Sequence, residues 1–287
     1  MSWCNRTLIS ALLILQSTAG FAIYGGSTAS GSYSYIVAIF NSSNTFLCGG
    51  SLISSQYVLT AASCVSAYQS SPGSLQLSIG DLTPYSTSSY SEVSNVYINS
   101  NYNSSSHRYN LALLKLTDEV DNTPVDLASL GSTTGKSVQV LGWGETTSSV
   151  MPTALLIATL ETTANENCTS GVTYESSIMI CADDPSANGT SNKIATCTGD
   201  TGGPLIYGGD LVGVGDFIEP DDSGYSCGDA DYWSIFTKIS GDGVTDWIDG
   251  YIDDSDSSVS VSSSGGSVQP WLAMWLLPLL WLFRRRG

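Results

Sequence analysis

Apolar residues in this chain fall in short runs separated by Gly, Asn and Ser, as in Ile36-Val37-Ala38-Ile39-Phe40, Leu111-Ala112-Leu113-Leu114 and Ile178-Met179-Ile180. Runs of this length, bounded by turn residues, predict buried strands rather than helices. The pattern therefore predicts an all-β barrel or sandwich. One segment departs from it. Val244, Trp247, Ile248 and Tyr251 are spaced i, i+3, i+4, i+7, which places an apolar stripe on one face of a closing helix.

Both ends carry apolar runs of another kind. Arg6 precedes the run from Leu8 to Leu15, and Gly20-Phe21-Ala22 supplies small residues for cleavage, so residues 1–22 read as a secretory signal. A cut after Ala19 would leave a three-residue stub before Ile23. Residues 253–267 form a Ser/Asp-rich linker that closes on Gly265-Gly266-Ser267, and residues 268–287 hold a Trp/Leu-rich run ending in Arg284-Arg285-Arg286. The thirteen residues 271–283 would make about 20 Å of helix against a hydrocarbon core of about 30 Å, too short for a comfortable span. Gly-Gly-Ser, a short apolar run and terminal arginines resemble the bacterial Gly-Gly sorting signals that a rhomboid-type (rhombosortase) intramembrane protease removes. The resemblance implies secretion across the outer membrane to the cell surface or medium. A GPI signal on a eukaryotic surface protein is the alternative, and the closing arginines count against it.

Charged residues make up only 12% of the chain, and their distribution is lopsided. Four of nine basic residues lie in the terminal segments, leaving five basic and 26 acidic residues between them, a net of −21 against −17 for the whole chain. A surface this acidic argues against nucleic acid or an anionic membrane as partner, leaving the membrane to the C-terminal segment alone. Solubility outside the cell is the simplest account of the charge. Seven cysteines become six once Cys4 is set aside with the signal. Six allow about fifteen pairings, so the connectivity stays open on sequence alone, but an oxidising compartment suits them better than a metal site. No CxxC or CxxH spacing occurs, the chain has one histidine, and neither a metal nor a cofactor is expected.

Four blocks stand in order along residues 23–252: Ile23-Tyr24-Gly25-Gly26, Cys48-Gly49-Gly50-Ser51 through Cys64, Gly142-Trp143-Gly144, and Thr198-Gly199-Asp200-Thr201-Gly202-Gly203-Pro204. Together they resemble a trypsin-like serine protease of the S1 family: in turn its mature N-terminus, the segment around its catalytic His, another hallmark, and its nucleophile loop. The resemblance implies two packed six-stranded antiparallel Greek-key β-barrels with a cleft between them and a C-terminal helix. It also implies the disulfides Cys48–Cys64, Cys168–Cys181 and Cys197–Cys227.

The chemistry departs from the family at the residues that matter most. Ser63, Asn110 and Thr201 stand where the family carries His, Asp and Ser, so no triad is intact. An alkyl hydroxyl at Ser63 is far too weak a base, the Asn110 amide carries no charge, and Thr201 adds a methyl to the nucleophile. The resemblance places the oxyanion hole at the backbone of Gly199 and Thr201, and an ion pair between a freed Ile23 ammonium and Asp200. Its specificity pocket falls on Ala195, Asp216, Phe217, Ile218 and Ser234, with Ala195 in place of the Asp that reads Lys or Arg. Asp216 is expected near Asn110, in a polar cluster filling the vacated triad. Glu219, Asp221, Asp222, Asp229 and Asp231 form an acidic stretch around Cys227, read as a solvated loop. His107, three residues before Asn110, is ordinarily a surface or packing residue; a relocated base for Thr201 is the other reading. The expectation is a secreted or surface-attached, catalytically inactive homologue that binds a protein or peptide, with a serine-type endopeptidase using non-standard residues as the alternative.

Overall fold

The computed structural model describes residues 23–87, 89–132, 134–145, 152–163, 168, 174–186, 193–216, 228–229 and 233–252. The expected signal, linker and C-terminal segment lie outside the described residues, as do Phe217, Ile218, Cys227 and, of the acidic stretch, all but Asp229.

Strands β1 (Ser27–Thr28), β2 (Ile36–Asn41), β3 (Phe46–Leu52), β4 (Tyr57–Thr60), β5 (Leu75–Ile79), β6 (Ser91–Ile98) and β7 (Ala112–Leu116) form the N-terminal half. Six of them close into an antiparallel barrel in the order β2-β3-β4-β7-β6-β5. In the C-terminal half, β8 (Ser137–Gly142), β9 (Leu156–Thr162), β10 (Met179–Asp183), β11 (Pro204–Tyr207), β12 (Asp210–Asp216) and β13 (Ser234–Lys238) run β9-β10-β13-β12-β11-β8. Pairing of β8 with β9 closes this second barrel, and β1 adds at the free end of β9. The two-barrel expectation is therefore met.

Strand β2 shows why the apolar runs are continuous rather than alternating. Successive side chains of a strand point to opposite faces, and both faces of β2 are buried. Val37 and Ile39 join Val58, Leu77 and Leu114 inside the first barrel. Ile36, Ala38 and Phe40 face the other way, into a cluster with Leu141, Trp143, Ile206 and Val214 from the second half. Each fully buried side chain of this size contributes about 1.5–3 kcal/mol, so the seam between the barrels is as firmly held as either interior. Val138, Val140, Leu160, Ile180, Leu205 and Phe236 fill the second barrel.

The closing helix α2 (Val244–Asp249) buries Val244 and Ile248. Trp247 and Tyr251 pack on the same seam cluster, and Tyr251 stacks on Tyr97 with ring centroids 4.4 Å apart, fastening the end of the second half to the first. Cys48–Cys64 ties β3 to the short helix α1 (Ala62–Val65), and Cys168–Cys181 joins Cys168 to β10. Cys197 is buried; its expected partner Cys227 lies outside the described residues. Among the described residues no helix is long and apolar enough to cross a membrane.

The barrels touch backbone to backbone at the cleft. The Gly49 N–H of β3 donates to the Thr201 carbonyl at 2.9 Å, and the Thr60 hydroxyl donates to the Gly49 carbonyl at 2.7 Å. A Cβ on Gly49 would stand 2.9 Å from Gly203 Cα, closer than side chains tolerate. Glycine at 49 is thus what lets the loop of Thr201 lie against the first barrel.

Candidate active-site cleft

Strand β4 delivers Thr60 to the cleft, and the chain turns there into α1, which carries Ser63. Asn110 lies at the entry to β7, fully buried. These two positions form a reciprocal pair: the Ser63 N–H donates to Asn110 Oδ1 at 2.8 Å, and Asn110 Nδ2 donates to Ser63 Oγ at 3.0 Å. Asn110 Nδ2 also donates to Asp216 Oδ1 at 2.8 Å. The backbone donor on one side and the carboxylate acceptor on the other fix the amide's orientation. The expected meeting of Asp216 with Asn110 is thus present.

Asp216 ends β12, is 3% exposed, and has a second partner that sequence reasoning did not pair with it. His107 Nδ1 lies 2.9 Å from Asp216 Oδ1. An ionised carboxylate only accepts, so opposite a charged Asp216 it is Nδ1 that donates, from a ring that is 23% exposed. The loop before β7 holds the ring in place by an unusual backbone. His107 and Tyr109 both take left-handed conformations, with φ of 55° and 51°, which side chains other than glycine rarely adopt. Asn103 Oδ1 accepts from the N–H groups of Ser105 and Ser106, and Arg108 is paired with Glu175, so the loop is pinned on both sides of the histidine. Strain held in this way concentrates at functional sites.

Burial holds the Asp216 carboxyl above its ordinary range, opposed by the bonds from His107 and Asn110. The bond to Asp216 in turn raises His107, with its own burial working the other way. Among the described residues, the buried Asp216 Oδ2 has no hydrogen-bond partner. Tyr102 feels the same carboxylate, its phenol raised by burial and then by the Asp216 charge.

The loop after β10 brings the remaining expected residues together. Gly199 has φ of 95°, and among the described residues neither its N–H nor that of Thr201 donates to a protein acceptor. Two unclaimed donors on one tight loop suit a carbonyl oxygen or an anion. Asp200 points inward, accepting from Gly144 N–H at 2.9 Å and from Cys197 N–H at 2.8 Å. Burial pushes its carboxyl up to about 7 despite these donors. Ile23 is fully buried in the second barrel's core, and Tyr24 bridges to Ala195. Ala195 and Ser234 are both buried, and the Ser234 hydroxyl accepts from Thr196 N–H at 3.1 Å, so no charge lies at either pocket position. Sequence reasoning also missed Lys193, which is buried against Asp183 at 2.8 Å with its ammonium 4.5 Å from the Trp233 ring centre. Nothing in its local sequence distinguishes it from a surface lysine. Among the described residues no group of three or more His, Cys, Asp or Glu is placed to hold a metal ion.

A family profile described as Trypsin matches residues 23–248. Trypsin from Xenopus laevis is 32% identical over 242 residues, covering 79% of this chain and 91% of that protein. Trypsin delta from Drosophila melanogaster is 30% identical over 241 residues, covering 79% and 87%. Among solved structures, mouse neuropsin, a serine protease expressed in the limbic system of the brain, superposes with a TM-score of 0.65 at 27% identity, covering 79% of this chain and 99% of its own.

Proposed function

The chain belongs to the trypsin family, and from that premise we propose that it is a pseudoprotease: a secreted or surface-attached homologue that binds a protein or peptide in its cleft without cutting it. The observation that carries this reading is the Ser63–Asn110 pair. Where the family's base and its orienting carboxylate would stand, a hydroxyl and a neutral amide satisfy each other. Neither takes up a proton near neutral pH. In an unrelated triad enzyme, loss of the base alone costs about 10⁶ in kcat, and the remainder comes from the oxyanion hole and binding. That remainder is what this cleft retains, in the unclaimed N–H groups of Gly199 and Thr201.

Serine-type endopeptidase action through non-standard residues has one observation in its favour, the His107–Asp216 pair. Against it stands the extra methyl on Thr201. The test is a peptide library passed over immobilised protein: retained sequences with unchanged masses support binding without cleavage, and no retention defeats it.

The two disulfides among the described residues support an extracellular setting. Under the same proposal, signal peptidase frees Ile23 and a sorting protease removes the C-terminal segment near Gly265-Gly266. No cofactor enters this reading. Intact mass of the exported protein tests both cuts, and a full chain through Gly287 recovered from membranes would contradict the second.

A further inference from the structure

The first barrel carries a polar cavity of about 620 Å³ that shares no lining residue with the cleft. Its lining comes from three places: the end of β5 with the turn after it, the segment leading into β6, and residues 119–122 beyond β7. The volume falls within the range of about 300–1,000 Å³ usual for ligand pockets.

Two polar side chains are set into this lining. Gly80 has φ of 75°, and a Cβ there would stand 2.6 Å from Asn122 Nδ2. Glycine at 80 therefore admits the Asn122 amide, whose Nδ2 donates to the carbonyls of Ser34 at 3.1 Å and Ile79 at 3.4 Å. With the donor end committed, Oδ1 is left to accept. Leu77 packs inside the first barrel, so Ser78 beside it points outward, toward the cavity it lines. Ser78 is nevertheless only 2% exposed, and among the described residues its hydroxyl has no hydrogen-bond partner. A buried hydroxyl without a partner is costly, and a ligand in the cavity would supply one.

Charge narrows the ligand. Asp81, Glu119 and Asp121 add three carboxylates to the lining, and none of the lining residues is basic. Asp81 commits one oxygen to Thr83, accepting from its N–H at 2.9 Å and from its hydroxyl at 3.3 Å. Glu119 and Asp121 have neither a hydrogen bond nor an ion pair among the described residues. The ligand is therefore a cation rich in donors. Among the described residues no three acidic side chains are placed to hold a metal ion, so these carboxylates do not converge on one point. Spread acceptors suit a guanidinium, a flat and rigid fork of N–H donors, better than a compact ammonium or a bare ion.

We propose that this cavity is a second binding site, which takes an arginine side chain carried on an exposed basic segment of a partner protein. Glu119 and Asp121 take up the guanidinium charge, while Ser78 and Asn122 Oδ1 accept from its N–H groups. The acidic surface of the domain draws such a segment from a distance, and the cavity fixes where it docks. The inference goes beyond the cleft reading and does not rest on it, because the two sites have no residue in common.

The experiment is fluorescence anisotropy of the purified protein with a labelled acetyl-Gly-Arg-Gly-Arg-Gly-amide peptide, run beside lysine and citrulline versions of the same peptide. The expected result is saturable binding of the arginine peptide that weakens with added salt, is poorer for lysine and is lost for citrulline. Glu119→Gln combined with Asp121→Asn should lower the affinity about tenfold or more, as for loss of charge-assisted bonds. Both side chains are exposed, so this variant keeps the fold. Ser78→Ala should also weaken binding. Asp242→Asn removes an exposed carboxylate outside the cavity, and Asp216→Asn removes one in the cleft; each should leave the affinity within about twofold. Equal binding of the arginine and citrulline peptides, or an unchanged affinity in the double variant, would overturn the proposal. So would Asp242→Asn or Asp216→Asn weakening binding as much as the double variant, the first by pointing to overall charge and the second to the cleft. Calcium chloride titrated in place of the peptide should give no saturable signal that the double variant loses; such a signal would assign the cavity to a metal ion and overturn the proposal as well.

Discussion

Residues that precede Ile23 decide whether the buried Asp200 carboxylate has a charged partner. With any residue attached before it, the Ile23 nitrogen is a neutral amide, and burial pushes the Asp200 carboxyl up to about 7 against its two backbone donors. An unfolded Asp titrates near about 3.9, so the folded, extended chain holds a proton that the unfolded chain has lost between those values. Its folded pKa is the raised one. The stability it contributes is therefore fully present below about pH 4 and is lost as pH rises through about 7. Three pH units at about 1.4 kcal/mol each give a loss of roughly 4 kcal/mol. A chain beginning at Ile23 supplies an ammonium that can pair with the carboxylate and cancel most of that loss. The assay is urea unfolding from pH 4 to 8 of two forms, one starting at Ile23 and one retaining Ala22. The extended form should lose several kcal/mol over the window, the form starting at Ile23 much less, and Asp200→Asn should flatten the extended form's decline. Parallel curves for the two forms would refute the reasoning and mean that the freed terminus never reaches Asp200.

Further outcomes follow from the same geometry. Rebuilding the family triad by Ser63→His, Asn110→Asp and Thr201→Ser should fail while Asp216 remains. The new carboxylate would sit against Asp216 Oδ1, which now accepts from Asn110 at 2.8 Å, and two carboxylates sharing a site cannot both ionise easily. Adding Asp216→Ser to the triple variant should restore ester hydrolysis, read from p-nitrophenol release. Reduction of Cys48–Cys64 and Cys168–Cys181 should lower the melting temperature markedly, since each bridge contributes about 2–4 kcal/mol; a scan with reductant that overlays the oxidised one would contradict this.

Much of the fold was legible because its signals are local or come in ordered blocks. Strand β2 reads as an unbroken apolar run since both its faces are buried, and α2 reads from four apolar residues at helical spacing. The glycines of the nucleophile loop mark a tight approach that Gly49 and Gly203 make in fact. The proposed loss of the triad rests on single positions inside those blocks, Ser63, Asn110 and Thr201. The His107–Asp216 bond could not, because it joins loops 109 residues apart through left-handed backbone at two residues that are not glycine. No hydrophobic period or turn residue announces such a conformation. Lys193 escaped for a related reason: its burial is made by Asp183 and Trp233, which come from separate segments.

The most direct test of a trypsin fold without the family's peptidase chemistry is a search for new peptide termini. A complex protein mixture would be incubated with the purified protein and with Thr201→Ala, and the termini compared by mass spectrometry. The account predicts the same termini in both samples. Termini produced by the parent protein and missing with Thr201→Ala would contradict it, since they would show peptide bonds cut by a nucleophile at Thr201.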